Sequence, residues 1–188
     1  MTILSRYVEL HSASRRLSER AVAGLPPGVT HDMRQNSPFS LYVARAASSR
    51  KWDVDRNELV DYVMGHGALL LGHNHPDVMA AVDAQARLGT HYGASHELEI
   101  RWGELVQRLV PSARRLRFTS SGTEATMMAI RLARAYTGRD KVLRLRDHFH
   151  GWNDSVTGQP AAEQTVPSSP GLPYGILAAS IVIPQNDI

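Results

Sequence analysis

Apolar residues recur along this chain at two spacings, and the changes between them mark out the elements. Across residues 97–110, Leu98, Trp102, Leu105 and Leu109 fall at i, i+4, i+7 and i+11, which predicts a helix with one buried stripe, ended by Pro111. Residues 123–136 predict another, with Ala125, Ala129, Leu132 and Tyr136 on one side and Thr137-Gly138 closing it. Residues 77–88 predict a third. Pro76 opens it, Asp77 sits in its first turn and Gly89 lies just past its end. Residues 12–23 predict a short surface helix stopped by Gly24-Leu25-Pro26-Pro27-Gly28, with a loop running on through Pro38. Short apolar runs predict strands at 39–43 and 59–64, with a strand end and turn across 51–58, together a small antiparallel element. Farther on, strands are expected at 115–119, 142–145 and 178–183, the last of the buried type. A polar, aromatic loop is expected at 147–154 and a long Pro/Gly-rich loop at 157–175. From residue 115 the order β, α, β, loop, β predicts an α/β fold with a mostly parallel sheet, unfinished where the sequence stops at Ile188.

Composition narrows the classes. Of 188 residues, 43% are hydrophobic, which is enough for packed structure. The formal net charge of +3 is spread along the chain, with no basic run interleaved with aromatics, so nucleic acid is not the expected partner. No apolar run approaches the ~20 residues that span a bilayer, and the first ten residues lack the apolar centre of a secretory signal, so a cytoplasmic protein without membrane contact is expected. Without cysteine there is no disulfide, thiolate metal site or thiol nucleophile. Of the 21 basic residues only Lys51 and Lys141 are lysine, so amine chemistry in this chain has two candidates.

The most informative stretch is Arg117-Phe118-Thr119-Ser120-Ser121-Gly122-Thr123-Glu124-Ala125, a strand running into a Ser-Gly-Thr turn and then a helix. A helix N-terminus leaves N–H groups unbonded and carries partial positive charge, so it suits a phosphate. Gly122 allows close backbone approach, and Ser121 and Thr123 add hydroxyls. The same residues also make an ordinary helix cap. His148-Phe149-His150-Gly151-Trp152 follows the next strand, hence the same carboxyl edge of the sheet, where ligands of open α/β sheets bind. An aromatic ring there can stack on a flat ligand and an imidazole can hydrogen-bond to it; a packed surface loop is the plainer alternative. His66, His73, His75, His91 and His96 have no ligand-like spacing, and no metal site is expected. Arg34 lies in a loop, where it is either solvated or a clamp for a carboxylate.

Five motifs occur in an order that resembles the class III (fold type I) aminotransferases dependent on pyridoxal 5′-phosphate (PLP), and within them the glutamate-1-semialdehyde 2,1-aminomutase-like branch. They are Trp52-Asp53-Val54-Asp55, Leu71-Gly72-His73-Asn74-His75-Pro76, Ser120-Ser121-Gly122-Thr123-Glu124-Ala125, Phe149-His150-Gly151 and Pro184-Gln185-Asn186-Asp187. The resemblance implies a PLP-transferase type I fold, with an N-terminal segment over 1–65 and the first part of the PLP-binding large domain over 66–188. It implies that Ser121, Gly122 and Thr123 hold the coenzyme phosphate, that Phe149 stacks on its pyridine ring and that His150 lies close by. Arg34 stands where the branch has an arginine for the substrate carboxylate, and His66 at a pocket position. It also implies a small amino substrate and a homodimer with its site at the subunit interface. Members are roughly twice as long, and neither their Schiff-base lysine nor their pyridine-nitrogen carboxylate falls within this chain, so no catalytic residue is assigned. An inactive fragment or interaction module is therefore the alternative. The chain departs from the branch at His31, at Arg56 and at Gly65-His66-Gly67-Ala68, which leaves open an aminotransferase acting on a different amine.

Overall fold

The computed structural model describes residues 2–157 and 170–186. Most of the expected 157–175 loop, and Asp187, lie outside the described residues. The chain divides into two compact units, Met1–Ser95 and His96–Ile188.

The first unit opens with two helices, α1 (Ile3–Leu10) and α2 (Ser12–Val22). A 3-10 turn follows at Asp32–Arg34, then strands β1 (Val43–Ala47), β2 (Arg50–Asp53) and β3 (Glu58–Val60) and helix α3 (Pro76–Ala86). The strands form an antiparallel sheet in the order β1-β2-β3. α1, not among the helices expected from the sequence, carries Ile3, Leu4, Tyr7 and Val8 at helical spacing, with Tyr7 and Val8 half-buried and Ile3 and Leu4 exposed. It is started by Thr2, whose Oγ1 accepts the Ser5 N–H at 3.1 Å.

The most buried side chains of this unit are polar. Ser14 and Asp53 are 0% and 2% exposed. Asp53 Oδ2 lies 2.7 Å from His11 Nδ1 and accepts from Asn57 Nδ2, while its Oδ1 accepts the Asn57 N–H. His11 precedes α2 but makes no capping bond to it, its ring being engaged with Asp53. Asp55 caps that helix from the hairpin turn instead, accepting the N–H groups of Ala13 at 2.6 Å and Ser14 at 2.9 Å. Burial alone would raise the Asp55 carboxyl; the donors from Ala13 and Ser14, with His11, outweigh it and hold the carboxyl below its ordinary value. The Trp52–Asp55 motif is thus a clasp between hairpin and N-terminal helices. His11, Asp53 and Asp55 have metal-like spacing, but their ligand atoms are already committed to these bonds.

Two expectations here are corrected. Residues 39–42 are not a strand; β1 begins at Val43. Their backbone is held by helix side chains, with Tyr7 Oη donating to Phe39 O at 2.7 Å and the Tyr42 N–H donating to Ser14 Oγ at 3.3 Å. The strand expected at 59–64 stops at Val60 because the Asp61 carboxylate turns back to accept the N–H groups of Val63 and Met64.

The second unit holds α4 (Glu97–Leu109), α5 (Gly122–Thr137), β4 (Val142–Leu145), α6 (Asp154–Thr157), α7 (Tyr174–Leu177) and β5 (Ser180–Ile183). β4 and β5 pair in parallel, Val142 opposite Ser180 and Leu145 opposite Ile183. Across the pair the buried Arg144 donates through Nε to Ser180 Oγ at 3.3 Å. α5 ends on Gly138 in the left-handed region at φ 67°, which a glycine adopts without strain. Residues 115–119 are not a strand among the described residues; Phe118 stacks on Trp102 instead, ring centroids 3.7 Å apart. The α4 stripe expected to be buried is exposed, Trp102 at 52%. β5 is likewise half open rather than fully buried, Ser180 covered but Ile181 at 40%. The periodicity located the helix and the strand but not their burial: a buried-type strand needs cover on both sides. Among the described residues only Phe39 and Val156 are both apolar and buried.

Candidate functional site

The parallel pairing of β4 and β5 puts the carboxyl ends of both strands at one edge. The loop after β4 carries His148 to Trp152, and residues after β5 meet it, with His148 Nε2 and Gln185 Oε1 3.2 Å apart. The N-terminus of α5 joins the same loop. Thr126 Oγ1 donates to His150 O at 2.8 Å, and the Trp152 N–H donates to Thr123 Oγ1 at 3.2 Å. Gly151 lies between them at φ 102°, a conformation that L side chains rarely adopt. A Cβ on Gly151 would come within 2.7 Å of Thr123 Oγ1 and 2.8 Å of Thr123 Cα. Ser121, Gly122 and Thr123 are therefore brought together with Phe149 and His150, through close contacts that a side chain at 151 would strain.

At the mouth of α5, Ser121 Oγ accepts the Glu124 N–H and donates to Glu124 Oε2, each at 3.2 Å, so the ordinary cap is present. The N–H groups of Gly122 and Thr123 have no protein acceptor among the described residues. Among the described residues Thr123 Oγ1 only accepts, which leaves its proton for another acceptor. A Cβ on Gly122 would meet open space and its φ is ordinary, so the chain itself does not require glycine there. The Phe149 ring is 75% exposed and meets Trp152 edge-on, centroids 6.3 Å apart. Among the described residues, His150 Nε2 is buried with no hydrogen-bond partner, an arrangement that a protein seldom leaves unexplained.

Arg34 and His66 belong to the first unit. Arg34 closes the 3-10 turn, which His31 caps by accepting the Met33 N–H at 3.3 Å. Its Nη1 donates to Thr30 Oγ1 at 3.0 Å, and no carboxylate pairs with it among the described residues. It lines a cavity of about 360 Å³ with Leu25, Val29, Leu41 and Tyr42. His66 is exposed at φ 59° between Gly65 and Gly67. Lys51 is engaged, its Nζ 2.9 Å from Asp61 Oδ1, and Lys141 sits just before β4, at the opposite end of that strand from the loop.

The model of the family described as Aminotransferase class-III matches residues 32–187. The chain belongs to that family. It is 42% identical over 185 residues to the glutamate-1-semialdehyde 2,1-aminomutase of Methanopyrus kandleri, covering 97% of this chain and 43% of that protein. Among solved structures it superposes on a transaminase with PLP bound, with a TM-score of 0.87 and 34% identity over 94% of this chain and 42% of the other. It also matches a glutamate-1-semialdehyde aminomutase from Pseudomonas aeruginosa, with a TM-score of 0.80 and 26% identity over 97% and 41%. The architecture is thus part of the type I fold of PLP-dependent transaminases, an α/β fold with a parallel sheet. The chain spans somewhat over two-fifths of the length of these relatives.

Thr126 and Gly151 were not assigned roles by the sequence. Gly151 was visible only as the end of Phe149-His150-Gly151. Thr126 lies one helical turn after Gly122, a readable spacing, but its partner is a carbonyl of a distant loop.

Proposed function

We propose that these residues form the coenzyme-phosphate side of a PLP-dependent class III aminotransferase or aminomutase, which moves an amino group on an amino acid or amino-aldehyde through the PLP and pyridoxamine forms. One observation carries this reading: unbonded N–H groups at Gly122 and Thr123 beside an aromatic loop that Gly151 locks against the same helix end. These features fit a flat phosphate ester. The α5 N-terminus supplies two N–H donors and its dipole to a phosphate, and Gly122 leaves the space a Cβ would fill. Thr123 supplies a hydroxyl, and Ser121 a second once it turns from Glu124. Phe149 presents a free ring face, and His150 Nε2 a buried polar atom in want of a partner. PLP, when bound, supplies an electron sink for the substrate's α-carbon. Arg34, its guanidinium without a carboxylate, would hold the substrate's own carboxylate, and His66 would line the substrate pocket. His31 and His66 depart from the aminomutase pattern, which favours an amine other than glutamate semialdehyde as strongly as that substrate. A cytoplasmic homodimer completes the reading; the exposed α4 stripe is the kind of apolar surface that another part of the assembly covers.

The full-length protein is expected to take up PLP and to show the absorbance of the bound coenzyme. A full-length preparation that stays colourless after added PLP overturns the proposal. The second reading, a non-catalytic fragment, is favoured by the lysines: Lys51 is held by Asp61 and Lys141 lies at the wrong end of β4. Residues 1–188 alone are expected to gain no PLP mass on borohydride reduction. A PLP-sized gain on Lys51 or Lys141 would refute that expectation.

A further inference from the structure

We infer that Thr126 is the positioning residue that registers the Phe149–Trp152 loop on the N-terminus of α5, an inference that rests on the coenzyme reading above. Thr126 points along α5 at a place where two of its own helix carbonyls compete for its proton, Thr123 O at 3.0 Å and Gly122 O at 3.1 Å. The carbonyl of His150 is nearer, at 2.8 Å, and belongs to a residue 24 positions away. A Thr hydroxyl in a helix ordinarily bonds back to the preceding turn. Here the loop offers the same proton a closer acceptor, so the side chain joins two elements.

The bond does not act alone. The Trp152 N–H donates to Thr123 Oγ1, Gly151 lies close against Thr123 Cα, and the Thr157 hydroxyl is shared between Asn153 O at 3.0 Å and Gly151 O at 3.1 Å. Three consecutive loop residues, His150 to Trp152, are thereby tied to positions 123 and 126 of one helix. The helix end carries the donors proposed for the phosphate, and the loop carries the proposed ring contact Phe149. The clasp therefore fixes the offset between those two contacts, which a rigid coenzyme of one length requires. Thr126 contacts the loop through a backbone carbonyl, so its role does not depend on which side chain stands at 150.

The test uses the full-length protein with Thr126→Val and Thr126→Ser. Valine keeps the shape and removes the hydroxyl; serine keeps the hydroxyl. Two quantities are read: hydrogen–deuterium exchange of the peptide spanning residues 149–152, and the PLP dissociation constant. Loss of one neutral hydrogen bond is worth a factor of about 5–10, so Thr126→Val is expected to speed loop exchange and weaken PLP binding by about that factor. Thr126→Ser is expected to restore both. Unchanged exchange in the valine variant overturns the inference. So does faster exchange with unchanged PLP affinity, which would make Thr126 a purely structural residue. Equal effects in the serine and valine variants also overturn it, since the hydroxyl would then not be the cause. A wild-type protein that binds no PLP sinks the coenzyme reading and, with it, any role for Thr126 in positioning coenzyme contacts. The exchange comparison then decides separately whether Thr126 holds the loop.

Discussion

Replacing Gly151 by alanine is expected to weaken PLP binding by about a hundredfold while destabilising the fold by about 2–3 kcal/mol. Two separate costs meet at this position. The backbone is at φ 102°, where a Cβ is strained whatever the space, and that Cβ would lie 2.8 Å from Thr123 Cα and 2.7 Å from its Oγ1. A backbone atom cannot rotate away as the end of a flexible side chain does, so the loop itself must lift from α5. Lifting breaks the Trp152–Thr123 and Thr126–His150 bonds together. Gly122→Ala is the informative contrast. A Cβ there meets open space at an ordinary φ, and alanine is the better helix residue by about 0.5–1 kcal/mol. Its fold is expected to be as stable as wild type or slightly more so, yet PLP binding is expected to fall, because the methyl occupies the place proposed for the phosphate. Denaturant midpoints and PLP titrations on the two variants separate the cases. A Gly122→Ala protein that binds PLP as well as wild type would remove Gly122 from the site. A Gly151→Ala protein of unchanged stability would show that the loop yields freely.

The pattern of legibility has a physical cause. Local rules located what local rules govern. The 97–110 and 123–136 periodicities became α4 and α5, the expected 142–145 strand became β4, and Gly138 stands at the end of α5. The start of α5 was legible because serine and glycine favour a helix start, although the same residues serve an ordinary cap. The failures came where a long-range partner decides. Residues 115–119 have strand-like composition, but a strand exists only with a ladder neighbour, and Phe118 found Trp102 instead. Residues 39–42 look extended in sequence, yet Tyr7 and Ser14, more than twenty residues upstream, take their backbone groups. The α4 stripe shows the converse: the helix was read correctly, while the burial expected of its stripe is not found among the described residues. The Asp53–Asp55 clasp was seen as a motif without a role, because its partners, His11 and the start of α2, are some forty residues distant in sequence.

The same logic makes Asp61 a sensitive position of the first unit. Asp61→Ala is expected to destabilise the protein by about 2–4 kcal/mol. The Asp61 carboxylate is covered and fully used. It lies 2.7 Å from His73 Nε2 and 2.9 Å from Lys51 Nζ, and accepts the N–H groups of Val63 and Met64. Removing it strips partners from both side chains and frees the turn that ends β3. The expected loss sits below that for a deep ion pair because Lys51 and His73 reach water, 26% and 22% exposed. The pH dependence follows from the direction of the shift. Hydrogen bonds from His73 and Lys51 hold the Asp61 carboxyl far below the ordinary carboxylate range, against the opposing effect of burial. A group depressed on folding contributes its stability in full above the unfolded value, about 4, and loses it as the pH falls toward the folded one. Wild type is therefore expected to lose stability in acid faster than Asp61→Asn, which has no proton to take up. The gap between the two is widest near neutrality and narrows as the pH falls below about 4. Parallel denaturation curves for the two proteins across that acid range would show that Asp61 is not the charge at the centre of this turn.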